Sequence, residues 1–225
     1  MVTESTFLPI LTIIILCYLI GSIPTAYLIG RLQNVNIFEI GSGNMGGTNV
    51  ARIFGMGWGV ATIVLDSLKG AAAVALSMLI LSSNKWTAFS ISAIVVICGH
   101  NWSLFATLIS TAANHGRLTI RGGKGGATYF GTLLMLAPAP VIFGMLAFGG
   151  FLVLITRFVS LGVLSAFAIA GVWLVVLMAQ GSVPNAMFPY LVTANALIFW
   201  RFRENIQRLL AGKERRLGDR VKTPA

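Results

Sequence analysis

Apolar positions in this chain fall in five long runs separated by short polar breaks. Residues 5–30 carry no charge. Residues 55–83 are apolar apart from Asp66 and Lys69, and residues 86–110 are interrupted only by His100. Residues 125–156 are uncharged, and so are residues 158–200. A helix crosses the hydrocarbon core of a bilayer with about 20 apolar residues, so each run predicts at least one spanning helix. The run 158–200 is long enough for two, and the segment QGSVPN at 180–185 supplies the turn between them. The run 125–156 reads either as one long span or as two short ones broken by APAP at 137–140.

The distribution of Lys and Arg decides between these two readings, because cytoplasmic loops carry an excess of basic residues. Dividing the run gives seven spans, at about 6–30, 55–82, 86–109, 123–136, 139–156, 160–179 and 185–201. Arg31, Arg52, Arg117, Arg121, Lys124, Arg157 and the eight basic residues from 201 to 222 then share one side, with Lys85 opposite. A six-span path splits the basic residues five against ten. The seven-span path puts the N-terminus outside and the C-terminus in the cytoplasm. The half-run 125–135 is short for a crossing. It is expected to tilt, to begin before Lys124 or to be partly re-entrant, with its backbone buried in protein or lining a wet cavity. The tail, residues 202–225, differs from everything before it. RFRENIQRLL at 201–210 sets Phe202, Ile206, Leu209 and Leu210 on one helical face and Arg and Glu on the other. This predicts an amphipathic helix along the cytoplasmic interface, with fraying expected after Gly218.

Composition narrows the class. Of 225 residues, 56% are hydrophobic and 10% charged, with a mean hydropathy of +0.87; soluble chains carry about 25% charge. The fold class is therefore an all-α integral membrane protein, read as a single domain over residues 1–225. Disorder, a coiled coil and a disulfide-stapled secreted fold are excluded. The net charge of +10 suits basic loops facing anionic membrane lipids, and no nucleic-acid partner is expected. Cys17 and Cys98 lie in apolar runs and read as buried thiols. No basic stretch precedes the first apolar run, so that run is expected to stay in the mature protein.

The candidate chemistry sits in two glycine-rich loops. The first, IGSGNMGGTNVAR at 40–52, combines Gly41, Gly43, Gly46 and Gly47 with Ser42, Asn44, Thr48 and Asn49, and ends at Arg52. Glycine lets backbone amides turn toward an anion, and the planar fork of arginine suits phosphate. The segment reads as a phosphate cradle, or otherwise as a flexible connector. It is not a Walker loop or a dinucleotide fingerprint, since the Walker lysine and a preceding strand are missing. The second loop, RGGKGGAT at 121–128, repeats the ingredients around Gly123, Lys124 and Gly125 at the mouth of a helix, where anions are favoured. Its alternative is a basic topology anchor.

Asp66 and Lys69 share a helix face and read as a structural ion pair or as support for the glycine loops. His100, in CGHNW, is a general-base candidate or a satisfied buried group; His115 lies in a polar loop. Ser22 and Pro24 interrupt the first run with a kink. Arg157 with Ser160, and Arg203 with Asn205, add polar nodes on the cytoplasmic side. Two histidines without a carboxylate cluster give no expectation of a metal site, no cofactor is implied, and no G-x-S-x-G elbow supports serine catalysis.

In order, GSIPTAYLIGR, GSGNMGGTNVAR, DSLKG, GHNWS, RGGKGGAT, TRFVSLG and RENIQRLLAGKERRLG resemble the bacterial membrane acyl-phosphate:glycerol-3-phosphate acyltransferase family (PlsY), from about residue 21 to 218. The resemblance implies seven helices in the bacterial inner membrane with the active site facing the cytoplasm. It implies acyl transfer from acyl-phosphate to the sn-1 hydroxyl of glycerol 3-phosphate, and a soluble acyl-phosphate synthase as upstream partner. By motif, Ser42 and Arg52 contact glycerol phosphate. Residues Gly43, Asn44, Gly46, Gly47, Thr48 and Asn49 hold the acyl-phosphate head. Lys124, flanked by Gly123 and Gly125, neutralises phosphate, and Ser160 and Asn205 complete the pocket.

Two features depart from the family pattern. Phe202 stands where the family usually has histidine, and residues 106–118 read as an inserted cytoplasmic loop. A flippase or transporter of a phosphorylated lipid precursor, and a divergent paralogue of low activity, are the alternatives. One-sided charge favours single-face chemistry over transport.

Overall fold

A computed structural model describes residues 4–219, so the tail residues 220–225 lie outside the described residues. Every regular element among the described residues is helical. The chain divides into two compact units, one running to Met135 and the other from Leu136 to Asp219.

In the first unit α1 (Glu4–Ser22) and α2 (Thr25–Leu32) share the first apolar run. Pro24, which lacks an amide hydrogen, separates them. The carbonyls freed at this break find side-chain donors: Lys69 Nζ donates to Ile23 O at 2.9 Å, and Ser103 Oγ to Ser22 O at 2.5 Å. After the first glycine loop come α3 (Gly47–Phe54) and α4 (Met56–Ile80). α5 (Lys85–Asn101) is capped by Asn84, whose side chain accepts from Thr87 N–H. α6 (Leu104–Ala113) is capped by Ser103, which accepts from Ala106 N–H, and α7 (Gly126–Leu134) closes the unit. α1 packs on α5 where a methyl on Gly21 or Gly99 would overlap the facing backbone carbonyl. α4 packs on α7 in the same way through Gly70 and Gly131. In lipid, small residues drive helix association by letting backbones approach.

The second unit holds α8 (Ala139–Thr156), α9 (Val159–Ala179), α10 (Phe188–Arg201) and α11 (Arg203–Leu210). α8 meets α9 at Gly149 and Gly162. Arg157 turns the corner between them with φ +62 and donates its N–H to Val153 O at 2.8 Å. The tail returns to this corner, where Leu217 N–H donates to Arg157 O at 2.6 Å.

Among the described residues five helical stretches are long and apolar enough to cross a membrane: Thr6–Leu32, Met56–Ile80, Ser82–Ala113, Ala139–Thr156 and Val159–Ala179. Leu79, Phe143 and Leu154 are among the large apolar side chains they leave exposed. The two other expected spans, 123–136 and 185–201, are occupied by shorter helices, α7 of 9 residues and α10 of 14. Residues 106–118, expected as a loop, are corrected in part: α6 continues through Ala113, and only the residues after it turn. Phe202 stands at the joint of α10 and α11, closing the first and opening the tail helix. It donates its N–H to Ile198 O at 2.9 Å, its carbonyl accepts from Ile206 N–H at 2.9 Å, and it is 8% exposed.

Candidate active site

The first glycine loop leads into α3. Gly41 (φ +71) and Gly43 (φ +63) adopt the left-handed conformation that glycine takes without strain. Asn49, 2% exposed, ties the loop together. Its Oδ1 accepts from Ser42 N–H at 2.9 Å, and its Nδ2 donates to the carbonyls of Asn44 at 3.2 Å and Ile40 at 3.4 Å. Gly43 N–H donates to Ile40 O at 3.2 Å, and Asn49 N–H to Gly46 O at 2.9 Å. Gly43 and Asn49, expected to hold substrate, thus have these groups engaged in shaping the loop. Gly47 is required by packing, since a Cβ there would stand 2.7 Å from Gly59 O of α4. The loop presents the exposed Ser42, the half-buried Asn44 and Thr48, and the amides of Gly47 and Thr48 at the start of α3, which precede the first intrahelical carbonyl. Arg52 follows Thr48 by one turn, on the same face of α3.

The second loop lies against the end of α5. Gly123 N–H donates to His100 O at 2.9 Å, and Ser103 N–H donates to Arg121 O at 2.9 Å. Arg121 N–H donates to Thr107 Oγ1 at 3.1 Å. A methyl on Gly122 would overlap Asn101 O, and one on Gly123 would overlap His100 Nε2. Gly125 caps α7 with φ +79. Lys124 is half-buried between these glycines.

The two loops meet through Arg121. Its guanidinium carbon stands 5.2 Å from the centroid of the Phe38 ring. Phe38 in turn stacks on Tyr27 at 5.2 Å with planes 16° apart. Arg121 Nη1 lies 3.7 Å from where a Cβ on Gly43 would stand. Arg121 was not among the residues expected to form the site; the signal for it was its place at the head of RGGKGG.

Asp66, Lys69 and His100, expected in a supporting role, gather in the interior at 1%, 8% and 3% exposure. Lys69 Nζ lies 2.9 Å from Asp66 Oδ1, which also accepts from Thr25 Oγ1 at 2.9 Å and lies 3.7 Å from His100 Nδ1. The cluster joins α2, α4 and α5, and its histidine ring abuts the second loop.

In the second unit Ser160 and Asn205 converge on a carboxylate that sequence reasoning missed. Ser160 Oγ donates to Glu214 Oε1 at 3.0 Å, Asn205 Nδ2 donates to it at 2.6 Å, and Arg208 Nε donates to Oε2 at 2.8 Å. Burial pushes the Glu214 carboxyl up, but these hydrogen bonds and the Arg208 charge outweigh it and hold the group below the usual carboxylate range. Glu214 sits among Lys213, Arg215 and Arg216, and an acid flanked on both sides by basic residues was the available signal. Among the described residues no group of three or more His, Cys, Asp and Glu could hold a metal ion.

The model of the family described as glycerol-3-phosphate acyltransferase matches residues 11–212. The chain belongs to this glycerol-3-phosphate acyltransferase family. It is therefore an integral membrane acyltransferase. It is 38% identical to glycerol-3-phosphate acyltransferase 1 of Deinococcus radiodurans, over 92% of this chain and 96% of that one. It is 39% identical to a glycerol-3-phosphate acyltransferase of Thermus thermophilus, over 92% and 95%. Its fold is similar to the crystal structure of PlsY, an integral membrane glycerol 3-phosphate acyltransferase, in the glycerol 3-phosphate form. The TM-score is 0.77 and the identity 31%, covering 93% of this chain and 96% of that one.

Proposed function

We propose that the chain transfers a fatty acyl group from acyl-phosphate to the sn-1 hydroxyl of glycerol 3-phosphate, giving lysophosphatidic acid and phosphate for phospholipid synthesis. The observation that carries this reading is the meeting of two glycine loops at Arg121 and Gly43, within a family of glycerol-3-phosphate acyltransferases. Two phosphate-bearing substrates must lie side by side, and two adjoining anion-binding loops suit them.

In this reading Ser42, Asn44, Thr48 and the amides of Gly46 and Gly47 face phosphoryl oxygens, and Arg52 and Lys124 neutralise their charge. Gly43, Asn49, Gly123 and Gly125 act by shaping the two loops. Ser160 and Asn205 hold Glu214 within the second unit. The sn-1 oxygen attacks the acyl carbonyl carbon and forms the ester bond. The bond from that carbon to the phosphate oxygen breaks, phosphate leaves with the electron pair, and the hydroxyl proton passes to a phosphate oxygen. Acyl-phosphate is a mixed anhydride with a good leaving group, so no acyl-enzyme is required. The protein contributes positioning and electrostatic stabilisation.

The one-sided basic loops support seven spans in the bacterial cell membrane, with the site facing the cytoplasm. A soluble acyl-phosphate synthase would supply the donor. Phe202 has a packing role, because its side chain is buried.

The test uses purified protein with labelled glycerol 3-phosphate and either palmitoyl-phosphate or palmitoyl-CoA. Lysophosphatidic acid is expected from palmitoyl-phosphate alone. Arg52→Ala and Lys124→Ala are each expected to lower kcat/KM by about 100-fold or more with Tm unchanged. Near-normal turnover in both variants would overturn the assignment of the loops.

A further inference from the structure

Among the described residues Arg121 is a cation without a carboxylate partner, and its Nε is buried without a hydrogen-bond partner. Burying a donor of a charged group is costly unless it is paired. The guanidinium carbon stands over the Phe38 ring, 5.2 Å from its centroid. A ring contact of this kind satisfies none of the five N–H donors of a guanidinium. The backbone around it is fixed, with Thr107 Oγ1 accepting the Arg121 N–H at 3.1 Å and Ser103 N–H donating to the Arg121 carbonyl at 2.9 Å. The platform is fixed as well, since Tyr27 backs Phe38. A long side chain held at both ends, with its edge against the left-handed Gly43, is preorganised for a ligand at the first glycine loop.

We infer that Arg121 is a substrate-binding residue, whose guanidinium edge holds a phosphoryl group at the junction of the two glycine loops. The Tyr27–Phe38 stack is its positioning platform. This rests on the reading of those loops as phosphate-binding. Both substrates carry a phosphoryl dianion, and separate kinetic arms identify which one Arg121 holds. The planar fork explains why arginine is needed: lysine keeps the charge but loses both the stack and the paired donors.

Arg121→Lys and Arg121→Ala are assayed with glycerol 3-phosphate and palmitoyl-phosphate varied in turn, beside thermal melts. Each variant is expected to raise KM for one substrate by about 10- to 100-fold, with the other KM and Tm little changed. Phe38→Leu removes the platform and is expected to raise the same KM by a smaller factor. Unchanged KM values for both substrates would overturn the inference. So would a loss of activity that only follows a fall in Tm.

A second arm uses wild-type protein in detergent. Phenylglyoxal modification of Arg121 is followed by peptide mass spectrometry with and without inorganic phosphate. Protection by phosphate is expected, and an unchanged rate would overturn the anion site. This arm reads the site even in a protein without acyl transfer, so its failure is distinct from failure of the proposed reaction.

Discussion

At Gly123 a single methyl group would reset the second loop. Its Cβ would overlap His100 Nε2, and that ring is enclosed, 3% exposed, with Asp66 on its other side. The ring has nowhere to retreat, so Gly123→Ala must push the backbone beside Lys124. Displacing a reacting group by about 1 Å costs about 100-fold, and a loss of that order in kcat/KM is expected. In a His100→Ala background the methyl finds room, so the double variant should be better than the product of the two single losses. Kinetics of the three variants decide; simple multiplication would mean that the contact does not set the loop. Sequence alone marked the glycine clusters, because so many glycines exceed what a turn needs. It did not separate glycines that face a ligand from those that accommodate a neighbour, such as Gly47 under α4. That distinction depends on atoms from other elements. Asn49 shows the same limit: its bonds to Ser42, Asn44 and Ile40 form only when the loop folds back on α3. Arg121 depends on an aromatic ring far earlier in the chain.

Between elements, the buried polar groups act as ties. Glu214 ties the tail to α9 through Ser160 and to α11 through Asn205 and Arg208. Its folded pKa lies below the unfolded value. The carboxylate therefore contributes stability at pH values above the unfolded pKa, and that contribution is lost as pH falls through the folded one. Glu214→Gln is expected to lower Tm at neutral pH, and the gap to the wild type should narrow toward acid. Thermal melts of both proteins across that range check the sign. A gap that widens on acidification would contradict it. The helix breaks show how much of the fold was legible. Pro24 announces the break between α1 and α2 through its missing amide hydrogen. The break between α5 and α6 was hidden in an apolar run. Its causes are long-range, with Ser103 bonded to Ser22 O and Leu104 N–H donating to Ser22 Oγ at 3.2 Å. The two breaks satisfy one another; the second has only the cap Ser103 as a local signature.

Across the whole molecule, the short α7 bears on how the chain crosses the membrane. Nine residues rise about 13 Å, against a hydrocarbon core of about 30 Å. A crossing at this point needs the extended backbone of the second glycine loop, the turn at 135–138, or both, to lie within the membrane. Irregular backbone at that depth must be enclosed by protein or line a wet cavity. The hydrogen bonds from the second loop to His100, Ser103 and Thr107 provide such enclosure. The seven-span reading thus makes a definite statement about Ala139, an exposed residue at the start of α8. It should lie outside with Lys85, and Arg117 should lie in the cytoplasm. With Cys17 and Cys98 replaced by Ala, single cysteines at 85, 117 and 139 can be probed with a membrane-impermeant maleimide. In intact spheroplasts, positions 85 and 139 should label and 117 should not; in inverted vesicles the pattern should reverse. Under a six-span path residue 139 lies within the bilayer and stays unlabelled from both sides. That outcome would leave α7 re-entrant and redistribute the basic loops to both faces, removing the support for a site on one side of the membrane.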